Sequence, residues 1–274
     1  MKRETIKTRY DGAFEQLARR KEGAFIPFLM LGDPDLETSA RLLRAAVEGG
    51  ADALEVGIPF SDPIADGPTI QAAAVRALEA GVRPADCIEL LARLRADAKD
   101  VPIGILTYAN LVKHRDLKGF YASVAAAGVD SVLVADVPVR ESEPYVAAAR
   151  AAGVAPVLIA PPNAPEATLQ MLAERCSGYT YCVARKGVTG ADEQVQLGHG
   201  ALFETLRRFG APPPILGFGI SKPEHVRAAL EAGAAGVVSG SAVVQRVAAH
   251  LGDPEAAARA VTGFVREMKA ATAR

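Results

Sequence analysis

Eight short apolar runs, each trailed by an Ala/Leu-rich stretch with helical spacing, limit what this 274-residue chain can fold into more than any other feature. The runs lie at 24–31, 53–57, 101–107, 130–135, 154–160, 179–184, 214–218 and 235–239. The helical stretches lie at 38–49, 69–79 with 84–97, 116–127, 141–151, 165–175, 200–209, 223–232 and 254–271. Most runs follow a glycine stop (Gly49 and Gly50, Gly128, Gly153, Gly178, Gly210, Gly233), the residue that closes a helix and releases the chain into a strand. Strands buried on both faces read as unbroken apolar runs, and helical crossovers make such strands parallel. Eight strand-then-helix units predict an α/β fold, a closed (β/α)8 TIM barrel, forming one domain over residues 1–274. An open doubly wound sheet is the rival, but no Gly-rich dinucleotide turn follows the first run.

The segment before the first run, Met1 to Gly23, is studded with charge and has no apolar h-region. It reads as an extra N-terminal helix with Ile6, Phe14 and Leu17 on a partial apolar face. No apolar stretch is long enough to span a bilayer, and the expected location is cytoplasmic. Net charge is −1 with acids and bases interspersed, so neither a nucleic-acid footprint nor a polybasic membrane patch is expected. Cys87, Cys176 and Cys182 have no metal-type spacing and read as buried reduced thiols; no metal site is expected. His114, His199, His225 and His250 are scattered and read as surface residues.

In a (β/α)8 barrel the chemistry gathers at the C-terminal ends of the strands. The second run and its adjoining loop, Leu54 to Pro68, place one carboxylate inside an apolar strand and two in the loop. Strand alternation puts Leu54 and Val56 toward the helices and Ala53 and Glu55 toward the barrel interior. No strand supplies an obvious inward basic partner for Glu55, so burial should raise its pKa and suit it to proton transfer near neutrality. Asp62 and Asp66 lie in the Pro/Gly-bounded loop, where spacing does not separate a catalytic Asp from a turn or helix cap. Asp33, beside Pro34, reads as a turn and cap before the helix at 38.

The seventh run ends in Gly217-Phe218-Gly219-Ile220-Ser221 and the eighth in Ser239-Gly240-Ser241-Ala242. Glycines admit close approach to the backbone, and N–H groups at a helix start attract anions. These two loop positions form a frequent phosphate site in this fold. The sixth loop, from Arg185, is long, polar and Gly-hinged, and reads either as a lid or as a surface loop.

The segment 54–68 resembles the signature of the tryptophan synthase alpha chain family. Residues 28–34, 107–110, 135–138, 185–190, 217–221 and 239–242 agree with it, so the resemblance reaches the ends of seven of the eight runs. It implies retro-aldol cleavage of indole-3-glycerol phosphate to indole and glyceraldehyde 3-phosphate, with no cofactor on this chain. By the same resemblance Glu55 is the general acid–base and Asp66 holds the indole N–H. Backbone at Gly190, Gly219, Gly240 and Ser241 binds phosphate, and Phe28, Leu106, Leu133, Ile159, Tyr181 and Phe218 line the indole pocket. Tyr181 shares the interior with Glu55 and is a candidate hydrogen-bond partner, and Thr189 orients Asp66 when the lid closes. The implied partner is a tryptophan synthase beta chain carrying pyridoxal phosphate, in an α2β2 complex, with Pro63 and Asn110 at the contact. Met30, Ala184 and Lys186 depart from the family's usual residues.

Two rivals have their own tests. A Schiff-base aldolase would use Lys186, but this lysine follows Arg185 in a polar loop that keeps an ammonium solvated. A non-catalytic binding subunit on the same barrel would have lost one of the carboxylates, and both are present.

Overall fold

The chain enters the fold through α1 (Arg9–Arg20), whose two ends are set by local chemistry. Thr8 and Asp11 form a reciprocal capping box at its start, and Lys21 closes it in the left-handed region at φ 57°. The computed structural model describes residues 6–114, 116–183, 199–217 and 219–274. In chain order after α1 come β1 (Ala24–Met30), α2 (Leu36–Glu48), β2 (Leu54–Gly57), α3 (Pro68–Glu79), α4 (Pro84–Asp97) and β3 (Ile103–Thr107). Next are α5 (Ala109–Lys113), α6 (Leu117–Ala126), β4 (Ser131–Val134), a 3-10 turn at Val139–Glu141, α7 (Glu143–Ala151) and β5 (Ala155–Ala160). The last third holds α8 (Glu166–Arg175), β6 (Thr180–Val183), α9 (Gly200–Arg208), β7 (Pro214–Gly217), α10 (Pro223–Glu231), β8 (Gly236–Ser239), α11 (Ser241–Ala248) and α12 (Pro254–Ala270).

The eight strands are parallel and pair in sequence order, and β8 pairs back onto β1, so the sheet closes. Strand alternation divides the apolar residues into two clusters. Leu54 and Val56 face outward and pack with Leu42, Leu91 and Phe264 beneath the helices. Ala53 faces inward with Ile26, Phe28, Val157, Tyr179, Tyr181, Ile215 and Val238. The register aligns Phe28 with Glu55 across β1 and β2, fixing both at one level of the barrel.

Helix α1 closes the N-terminal end of the barrel. Tyr10 and Leu17 join the inner cluster, and the Tyr10 hydroxyl lies 3.0 Å from Ser131 Oγ. Tyr10 also packs on Tyr179 with ring centroids 5.3 Å apart. Around it Asp130 pairs with Arg9 and Arg95, each at 2.9 Å, and accepts from the Ile103 N–H. With this end sealed, the open end is the C-terminal one, where the loops meet.

Several elements differ from the sequence reading. The helices α5 and α11 follow β3 and β8 directly, in stretches that carry no long helical period. Asp33 neither caps α2 nor forms only a turn. Asp35 is the cap, accepting from the Thr38 N–H at 2.8 Å. Asp33 is buried, and both its oxygens accept from Arg76 of α3, at 2.7 and 2.8 Å. His199 and His225 are buried rather than on the surface. The three cysteines are buried and no disulfide joins them.

Candidate active site

Glu55 sits near the C-terminal end of β2, 2 % exposed, with its side chain turned into the barrel. The Tyr179 hydroxyl donates to its Oε1 at 2.7 Å. Burial pushes the Glu55 carboxyl up to about 7; the Tyr179 hydrogen bond opposes this, and the charge of Asp66 adds to it. Tyr181 lies on the same inward face, but the phenol bonded to Glu55 Oε1 is that of Tyr179, two residues earlier.

Asp66 ends the loop after β2 and is 6 % exposed. It is not a helix cap: Gly67 holds the N-cap position of α3 and no side chain caps that end. The loop is shaped by a turn from the Asp66 N–H to the Pro63 carbonyl at 3.0 Å, and Gln71 Nε2 donates to the Asp66 carbonyl at 2.7 Å. Burial raises the Asp66 carboxyl to about 6 and the nearby Tyr108 hydroxyl holds it down. That hydroxyl is buried without a hydrogen bond of full geometry, so it faces the carboxyl as a looser polar neighbour. Phe60 stacks on the Tyr108 ring, with centroids 5.4 Å apart.

Both carboxyls line one pocket, which encloses about 720 Å³ including its open mouth. Phe28, Ile70, Leu106, Ile159 and Tyr181 give it apolar walls. Gly217 makes room for one of them, since a Cβ there would lie 2.3 Å from the Tyr181 oxygen. The other end is built from the loops after β7 and β8: Gly219, Ile220, Ser221, Gly240, Ser241 and Ala242. Gly219 has φ +75°, a conformation that favours glycine. Gly240 is the N-cap of α11 with no side-chain cap, so the first N–H groups of that helix face the pocket. The pocket is thus apolar in the middle, acidic on one wall, and rich in N–H and O–H donors at one end.

Of the residues singled out in the sequence, Phe28, Glu55, Asp66, Leu106, Ile159, Tyr181, Gly219, Gly240 and Ser241 meet around this pocket. Leu133 does not line it; it is buried in the inner cluster. Thr189, Gly190 and Phe218 lie outside the described residues, as do Ala184 and Lys186. Asp62 and Asn110 are exposed and Pro63 is half-buried, all near the open end. Sequence reasoning missed Tyr179, Ile70 and Val238, while Ser221, in the segment read as part of a phosphate site, lines the pocket. Tyr179 has a signal in hindsight: it shares the period-2 face of Tyr181. Among the described residues no cluster of His, Cys, Asp and Glu is placed to hold a metal ion. No helix among them is long and apolar enough to cross a membrane.

A closed (β/α)8 barrel with two carboxyls of raised pKa in an apolar cleft, and an anion-receptive end beside them, defines an acid–base barrel enzyme. The chain belongs to the tryptophan synthase alpha chain family, whose family model matches residues 14–273. It is 53 % identical over 264 residues to the tryptophan synthase alpha chain of Escherichia coli (strain SMS-3-5 / SECEC), covering 96 % of this chain and 98 % of that one. The alpha chain of Vibrio vulnificus (strain YJ016) is 51 % identical over the same length and coverage. Among solved structures, the barrel is similar to one in the tryptophan synthase α2β2 complex of Pyrococcus furiosus. The TM-score is 0.82 and the identity 35 %, covering 90 % of this chain and 98 % of the other.

Proposed function

We propose that the chain cleaves indole-3-glycerol phosphate to indole and glyceraldehyde 3-phosphate, the alpha reaction of tryptophan synthase, by carboxylate acid–base catalysis. The observation that carries the reading is the pairing of Glu55 and Asp66 in one apolar pocket, with pKa values raised to about 7 and about 6.

The two carboxyls have different tasks, which the family resemblance divides between them, and a Glu55 carboxyl raised toward neutrality suits the proton-carrying one. Glu55, the more basic, holds its proton near neutrality and gives it to C3 of the indole ring. Protonation there leaves positive charge on the ring nitrogen. Asp66, ionised, accepts a hydrogen bond from the indole N–H and stabilises that charge. The Glu55 carboxylate then takes the proton from the hydroxyl on the carbon next to the ring. The carbon–carbon bond breaks, its electrons return to the ring, and the hydroxyl carbon leaves as the aldehyde. Glu55 ends with its proton restored.

Phe28, Leu106, Ile159 and Tyr181 hold the indole by apolar contact, Phe218 completes that wall, and Leu133 backs it from the inner cluster. The phosphate rests at the donor-rich end, on backbone at Gly190, Gly219, Gly240 and Ser241, with the α11 N-terminus attracting its charge. Thr189 orients Asp66 in the closed state. The 274 residues form one domain. The chemistry as drawn needs no cofactor on this chain.

The similarity to the Pyrococcus furiosus α2β2 complex, described as one of mutual activation, supports a beta-chain partner. That partner carries pyridoxal phosphate, and the contact includes Pro63 and Asn110 at the open end of the barrel. Ile64, 73 % exposed beside Pro63, offers an apolar side chain to it. The complex works in the cytoplasm. The test is indole release from indole-3-glycerol phosphate by the purified chain, with and without a tryptophan synthase beta chain. Slow cleavage alone and faster cleavage with the beta chain is the expected result. No indole from either preparation would refute the reaction.

A further inference from the structure

Ser221 and His225 sit at the donor-rich end of the pocket and have no role in the chemistry above. Ser221 lines the pocket in the turn between β7 and α10. His225 lies in the first turn of α10, 9 % exposed, and its ring folds back onto that turn. The Ser221 N–H donates to His225 Nδ1 at 3.3 Å. The Ser221 hydroxyl oxygen lies 3.5 Å from the same nitrogen, at the limit of a hydrogen bond. On the other side of the turn, the Ser239 hydroxyl donates to the Ile220 carbonyl at 2.6 Å. One side chain from β8 and one from α10 therefore pin the two ends of a single peptide unit, Ile220–Ser221.

An imidazole Nδ1 that accepts a hydrogen bond has one lone pair in the ring plane, and the ring proton is then on Nε2. With the Ser221 amide occupying that lone pair, the amide is satisfied within the protein. The hydroxyl of this pocket-lining residue then keeps its proton for another acceptor. The acceptor-rich group that this end suits is a phosphate, since Gly219 and the α11 N-terminus already offer it N–H donors.

We infer that the Ser221 hydroxyl is a further phosphate-binding donor and that His225 is its positioning residue, engaging the Ser221 N–H at Nδ1 so that the hydroxyl faces the ligand. This rests on the reading of the pocket's donor-rich end as the phosphate site. Without an acceptor at position 225, the Ser221 N–H would seek one elsewhere and the turn would rotate, taking the hydroxyl out of line. Gln at 225 keeps an oxygen acceptor on a side chain of similar reach; Leu fills the space and accepts nothing.

The experiment uses the chain assembled with a beta chain, without serine, and two competitive probes of cleavage. Glycerol 3-phosphate carries the phosphate and no ring; indole carries the ring and no phosphate. Ser221→Ala and His225→Leu are expected to raise the KM for indole-3-glycerol phosphate and the inhibition constant of glycerol 3-phosphate by about tenfold, as loss of a bond to a charged group does. They should leave kcat and the inhibition constant of indole within about twofold. His225→Gln should restore most of the phosphate affinity. The inference is overturned if Ser221→Ala leaves glycerol 3-phosphate binding unchanged. It is also overturned if His225→Leu weakens both probes equally, or if Gln fails to rescue. Should glycerol 3-phosphate not compete even with the unmutated chain, the phosphate reading itself fails, and this inference with it.

Discussion

The Tyr179 hydroxyl reaches across the barrel to Glu55 Oε1 at 2.7 Å, from the start of β6 to the strand four places away in the closed sheet. Tyr179 is fully buried against Tyr10 of the helix that seals the barrel floor. The acid–base candidate is thus tied to the bottom of the barrel, while Asp66 approaches from the loop at the top. Two carboxyls in one pocket are supported from opposite ends, which lets their environments differ.

Those environments set a pH window. The proposed mechanism needs Asp66 charged and Glu55 protonated. Activity should rise as pH passes about 6 and fall as it passes about 7. The profile of kcat/KM is therefore a narrow bell with its maximum between these values. The two limbs belong to the interacting pair, not to either residue alone. A rate that climbs without a fall to pH 9 would contradict the requirement for a protonated Glu55.

Tyr179→Phe removes a donor that favours the charged form of Glu55. The carboxyl should then hold its proton more tightly, and the alkaline limb of kcat/KM should move up by about one pH unit. A limb that stays in place, measured on the same preparation, would mean that this hydrogen bond does not govern the acid.

The raised Glu55 pKa also has a cost in stability. A carboxyl whose folded pKa lies above its unfolded value contributes stability that is full below the unfolded value and lost as pH rises through the folded one. The rise from 4.5 to about 7 corresponds to about 3 kcal/mol. Glu55→Gln abolishes the titration. Its stability relative to the parent should therefore improve by about 3 kcal/mol between pH 4 and pH 8. Urea unfolding at the two pH values measures this.

Asp33 and Arg76 join the loop after β1 to α3, the helix that starts beside Asp66. Burial raises the Asp33 carboxyl, Arg76 opposes this, and the Asp35 charge adds to it. Arg76→Leu strands a buried acid and should destabilise the chain by about 3 kcal/mol at pH 8. The loss should shrink in acid, where Asp33 takes up a proton. Calorimetric unfolding across pH checks both the size and the trend.

The barrel was legible because its signal is periodic and repeated. Each strand is found within about two residues of its apolar run, since burial on both faces demands unbroken apolar sequence. The inward aim of Glu55 followed from alternation alone, with Leu54 and Val56 in the outer cluster. What escaped depends on pairs distant in sequence. Asp33 looked like a cap because its partner Arg76 is 43 residues away. Tyr179 is 124 residues from Glu55. The helix α11 is short and carries Val243, Val244 and Val247, β-branched residues that weaken its helical signal. His225 looked like one polar residue on a surface helix, because nothing local says that its ring turns back onto Ser221.

The most direct test of the account is Glu55→Gln assayed for indole release with the beta chain present. Gln keeps the size and can still accept from Tyr179, but it neither gives nor takes the proton. Turnover should fall by about a thousandfold, within the range of a lost general acid–base, while glycerol 3-phosphate still competes at its unmutated concentration. Turnover within about tenfold of the parent would contradict the assignment of Glu55 as the proton carrier.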